Sequence, residues 1–100
     1  MAAEYQTAVG RIDLLARDKA TGEWVVIELM KGMDSDRAVG QLLRYMGWVK
    51  KHKAAQHENV RGIIVTSEPD ERIRYSLSMS DNISFYTYRV SFELVEESPI

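Results

Sequence analysis

Cysteine is absent from the 100 residues, which leaves neither a disulfide framework nor a thiolate metal site. Zinc-finger chemistry is excluded, and a reducing compartment, the cytoplasm, is the expected location. No apolar run approaches the roughly 20 residues needed to cross a bilayer, so a membrane protein is not expected. The opening Met1-Ala2-Ala3-Glu4 has no basic region followed by an apolar stretch and does not read as a secretory signal. Repeats, low-complexity tracts and linkers are missing as well. Nor is there charge of one sign: 13 Lys and Arg face 15 Asp and Glu for a net charge of −2. That balance does not by itself announce a nucleic-acid binder.

What is present is a globular composition, 45% hydrophobic and 28% charged, in a length that holds one core and not two. Residues 1–100 are therefore read as a single domain. A domain of this size buries a smaller share of its surface than a larger one, so a homodimer or a fragment is expected before an isolated monomer. Charge is unevenly spread: Arg44, Lys50, Lys51, His52, Lys53 and His57 gather around one segment, and Glu93, Glu96 and Glu97 lie towards the end. A DNA-binding surface is expected, if anywhere, on that middle segment. The competing reading is a solvated helix end with cations at its negative pole.

Gly10 to Arg17 reads as a strand, Asp18-Lys19-Ala20-Thr21-Gly22 as a turn, and Glu23 to Leu29 as a second, buried strand, together a hairpin. Gly32 breaks the pattern, Asp34 or Ser35 can cap a helix, and Ala38, Val39, Leu42, Leu43, Met46 and Val49 recur at helical steps through Lys53. Val60 to Thr66 reads as a strand, and Pro69 suits the first turn of a helix over Asp70 to Met79. Asn82 to Tyr88 and Val90 to Val95 read as closing strands. The order strand, strand, helix, strand, helix, strand, strand predicts an α/β fold with a mixed sheet.

Asp13 stands among apolar residues in the first strand, and Glu28 near the end of the second, so hairpin pairing can bring the two carboxylates together. Two buried carboxylates side by side conflict unless one takes a proton or a cation joins them. Hard oxygen ligands, completed by a backbone carbonyl and waters, suit Mg²⁺ or Mn²⁺ and hence phosphate chemistry. The bland alternative pairs Asp13 with Arg11 or Arg17, and Glu28 with Lys31 or Arg37, as ordinary ion pairs. On the helix, Gln41 and Tyr45 share a face, with Trp48 next along it and Arg44 beside it, either a ligand-contacting stripe or half-buried aromatics beside surface filler. His52 and His57 do not read as a metal site.

The run from Glu4 to Asp18, then Val25-Val26-Ile27-Glu28-Leu29, then Gly40-Gln41-Leu42-Leu43-Arg44-Tyr45-Met46-Gly47-Trp48-Val49-Lys50, resembles the C-terminal catalytic domain of the NucS/EndoMS endonucleases. These are a RecB-like branch of the PD-(D/E)XK nucleases. The resemblance extends to the region of Phe85 and includes Val60-Arg61-Gly62-Ile63-Ile64-Val65. It implies a restriction-endonuclease-like mixed sheet flanked by helices, and metal-assisted DNA hydrolysis of the kind used in DNA repair. It further implies metal ligation by Asp13, Glu28 and the Leu29 backbone carbonyl, and roles for Gln41 and Tyr45 as the helix-motif residues. Arg44, Trp48, Lys50, Lys51 and Lys53 are the expected DNA contacts. Two departures stand out: Met30 occupies the position where the motif has its lysine, with Lys31 as a possible substitute, and the family's first helix, ahead of the first strand, is expected to be missing. Impaired catalysis is expected from Met30, and a non-catalytic DNA-binding or dimerisation module is the alternative.

Overall fold

A computed structural model describes residues 3–32, 34–68 and 70–99. Strands β1 (Ala3–Thr7), β2 (Gly10–Arg17) and β3 (Trp24–Leu29) are followed by helix α1 (Ser35–His52), strand β4 (Val60–Thr66), helix α2 (Glu71–Leu77) and strand β5 (Ile83–Thr87). The sheet order is β1-β2-β3-β4-β5. The first two pairings are antiparallel and the last two parallel, because α1 and α2 each carry the chain back before the next strand. The mixed α/β architecture is the one expected.

Each helix starts on an aspartate whose side chain satisfies an unpaired first-turn amide. Asp34 accepts from the Arg37 N–H at 2.8 Å, and Asp70 from the Ile73 N–H at 3.1 Å. The Ser35 hydroxyl, itself buried, donates to Asp70 at 2.7 Å and ties the two helix starts together. Leu42, Tyr45, Met46 and Val49 of α1 and Ile73 and Leu77 of α2 share one core with Ile12, Leu15, Val26 and Ile64 of the sheet. Both helices therefore cover the same sheet face. Along β4 the buried Val60, Gly62, Ile64 and Thr66 alternate with half-buried Arg61, Ile63 and Val65, and among the described residues no helix covers that second face. Gly62 permits the close seat of α1: a Cβ there would meet the Met46 sulfur at 2.7 Å.

Two expectations are corrected. β1, absent from the sequence reading, pairs with β2 through a tight turn in which the Thr7 hydroxyl donates to the Gly10 carbonyl and accepts from the Val9 N–H. The strand expected at Val90 to Val95 does not form: residues 88–99 carry no strand or helix. The reason is the length of its neighbour. β4 ends at Thr66 opposite Thr87, so the chain beyond outruns its only partner. The departing tail accounts for extents of 62 × 30 × 27 Å and a radius of gyration of 16.7 Å, against about 13 Å for a close-packed chain of this length.

Candidate active site

The β2–β3 register pairs Leu14 with Ile27 and Leu15 with Val26, and one further step along it sets Asp13 opposite Glu28. β2 is irregular at this level. Ala3 pairs with Leu15 but Tyr5 with Ile12, so Glu4 alone stands opposite both Asp13 and Leu14. This bulge lets Ile12 and Leu15, three residues apart, both enter the core, and it turns the Asp13 carboxylate across the hairpin. There Asp13 Oδ2 accepts from the Leu29 N–H at 2.9 Å.

Glu28 is 2% exposed, and its Oε2 is the one buried side-chain oxygen or nitrogen among the described residues without a hydrogen-bond partner. Burial raises its pKa to about 7, aided by the Asp13 charge and by hydrogen bonding with Asp13 that favours the protonated acid, while the Lys31 ammonium pulls the other way. The ordinary ion pairs do not form. Arg11 is engaged by Glu4 at 3.0 Å and Arg17 by Glu58, and neither Lys31 nor Arg37 bridges to Glu28 among the described residues.

α1 brings its motif residues to the same corner. Tyr45 is buried, and its hydroxyl lies against Gly10, where a Cβ would stand 2.6 Å away. Its pKa is raised by burial first and then by the Glu28 charge, with Arg44 and Arg37 acting in the opposite sense, so the phenol remains protonated. Gln41, one turn earlier, is half-buried on the same flank. Trp48 lies tilted against Tyr5 of β1, ring centroids 5.9 Å apart, and against His52 at 4.8 Å.

The basic residues divide. Arg44 and Lys51 are exposed and make no ion pair among the described residues. Lys50 donates to the Gln56 and Glu58 carbonyls and holds the loop after α1, and Lys53 lies 4.6 Å over the Tyr5 ring. Met30 packs against the core while its N–H donates to the Val65 carbonyl at 2.8 Å. β3 has ended by Lys31, which is exposed in the bend leading to Gly32 at φ +70°. Strand alternation therefore no longer dictates which way that lysine points. Sequence reasoning missed Gly10 and Tyr5, which seat Tyr45 and Trp48. The glycine opening a strand was the available signal for the first; the second was hidden with β1.

A family model for the Endonuclease NucS C-terminal domain matches residues 1–92. The chain belongs to that family. Endonuclease NucS of Methanocaldococcus jannaschii is 38% identical over 63 residues, covering 63% of this chain and 23% of the relative. That of Sulfolobus acidocaldarius is 42% identical over 62 residues, covering 62% and 23%. The chain thus spans about a quarter of the length of these curated NucS relatives. Among solved structures, a repair endonuclease from Pyrococcus abyssi superimposes with a TM-score of 0.68 at 28% identity, over 87% of this chain and 37% of that one. A complex of EndoMS with double-stranded DNA matches in fold, with a TM-score of 0.69 at 22% identity over 92% and 37%. The five-stranded mixed sheet with two helices is the NucS-type nuclease architecture.

Proposed function

We propose that this domain is a divalent-metal-dependent DNA endonuclease module of the PD-(D/E)XK type, cutting phosphodiester bonds by hydrolysis and acting as a homodimer in the cytoplasm. The observation that carries the reading is the Asp13–Glu28 pair with the buried, unpartnered Glu28 oxygen. Two facing acids, one with an oxygen left over, fit a hard cation. The two carboxylates of Asp13 and Glu28 with the Leu29 carbonyl would hold Mg²⁺ or Mn²⁺, waters completing the shell, since no third His, Cys, Asp or Glu joins them among the described residues. The ion would supply polarisation of the phosphate and a water of lowered pKa.

The chain's own groups have distinct tasks. The Leu29 N–H fixes the Asp13 carboxylate, and Glu28 is kept out of water at 2% exposure. The protonated Tyr45 hydroxyl is a buried donor within electrostatic reach of Glu28 and Asp13, with Gln41 one turn away and exposed Arg44 beside it as a phosphate contact. Lys31, within electrostatic reach of Glu28, is the cation that stands in for the motif lysine. An ammonium on a bend is held less firmly than one on a strand, so reduced turnover is expected.

The test is cleavage of labelled single-stranded, duplex and mismatched DNA with Mn²⁺ or Mg²⁺ by the parent, Glu28→Gln, Lys31→Ala and Met30→Lys. Cutting by the parent, its loss in Glu28→Gln and a fall of about a hundredfold in Lys31→Ala are the expected results. A non-catalytic DNA-binding or dimerisation module is the second reading, favoured by the thioether of Met30 packed where the motif has an ammonium. It prevails if the parent binds DNA without cutting it and Met30→Lys gains cleavage.

A further inference from the structure

Past β5 the chain carries a strand-like alternation that its own fold does not use. Tyr88, Val90, Phe92 and Leu94 are 52, 66, 87 and 96% exposed, and Arg89, Ser91 and Glu93 stand between them. The Tyr88 N–H donates to the Thr66 carbonyl at 3.1 Å, where β4 ends. Beyond that point no strand lies alongside the tail among the described residues, and β5 is itself an outer strand. Neither Arg89 nor Glu93 takes part in an ion pair among them.

We propose that residues 88–94 pair antiparallel with the same residues of a second copy, about a two-fold axis at Ser91, joining two sheets into one. The segment is self-complementary about that residue. A centre at Ser91 sets Tyr88 against the partner's Leu94, Val90 against the partner's Phe92, and Arg89 against the partner's Glu93. Facing residues in an antiparallel pair point to the same side, so the apolar contacts fall on one face of the ribbon and the two ion pairs on the other. Moving the axis to Val90 keeps apolar residues facing each other but sets Arg89 against Ser91; moving it to Phe92 sets Arg89 against Val95. Charge therefore selects one register out of those the apolar pattern allows.

The pairing gives backbone partners to a tail that joins no strand among the described residues, and the shared strand makes the interface isologous. The inference rests on the homodimer named above and on nothing in its chemistry, so DNA cleavage can fail while this interface stands.

The experiment is sedimentation equilibrium of the whole chain over a concentration series, for the parent, Arg89→Glu, Glu93→Arg and the double variant carrying both. All substituted positions are exposed, so the folded domain is unchanged and circular dichroism checks it. The parent is expected to dimerise, each single swap to weaken the dimer about tenfold by setting like charges face to face, and the double variant to recover the parent's constant. A parent that stays monomeric, single swaps without effect, or a double variant that does not recover would each overturn the proposal.

Discussion

The two ends of the β2–β3 hairpin treat their carboxylates in opposite ways. At the turn end every acid is matched: Asp18 accepts from the Ala20 N–H at 2.9 Å and meets Arg61 at 3.1 Å, and Glu23 reaches Arg61 at 3.4 Å. Glu58 receives Arg17, the Trp24 indole and the Ala55 N–H, with Arg17 lying over Trp24. The Ala20 N–H and Arg61 hold Asp18 below the usual carboxylate range, and the Ala55 N–H and Trp24 do the same for Glu58. At the open end, a few residues away along the same strands, Glu28 is pushed up to about 7. One cluster is held together by its charges; the other is held together against them.

The contrast also has a sign in pH. Glu28, raised above its ordinary 4.5, leaves the folded state fully favoured below that value and costs stability as pH rises from 4.5 through about 7. Glu58, lowered from 4.5, stabilises the fold above 4.5 and loses that contribution as pH falls through its depressed value.

The largest effect that would sharpen this comparison is that of Glu28→Gln in cation-free buffer. It should raise unfolding stability at pH 8 by about 3 kcal/mol and leave it unchanged at pH 4. Urea titrations at both pH values decide it, and an unchanged stability at pH 8 would break the contrast. Adding Mn²⁺ should raise the Tm of the parent but not of Glu28→Gln, with the shift shrinking as pH drops below 7 because a proton competes for the same oxygen. Gly10→Ala comes next. It places a methyl on the Tyr45 hydroxyl at a φ of +130° and should cost about 1–3 kcal/mol, read by thermal melting. Smallest is Glu58→Gln at the matched end, a loss of stability at pH 7 that disappears in acid. A variant more stable than the parent at pH 7 would show that end to be strained as well.

Much of this arrangement was legible in the residues. β2, β3, α1 and β4 announce themselves because each buries apolar residues, and Asp34 is where a cap belongs; Asp70, read as the first residue of the second helix, is instead its cap, and Pro69 lies outside the described residues. Asp13 and Glu28 could be read as a facing pair from hairpin geometry alone. β1 could not, since only Thr7 in it is buried and its strand character comes from pairing with β2. The tail erred in the other direction: its period is right for a strand, but pairing needs a neighbour, and β4 stops first. Within the site, the bulge at Asp13, the end of β3 before Lys31 and the use of Lys50 on loop carbonyls all depend on contacts between segments. No local pattern encodes them.

Met30, two residues past Glu28, packs against the core while its backbone is locked to Val65. Methionine and lysine codons can differ by one base, ATG against AAG, so a single transversion would exchange packing for a positive charge at a position whose main chain is already fixed. The domain therefore lies one mutational step from a different balance of stability and chemistry, and selection could move it in either direction without rebuilding the strand.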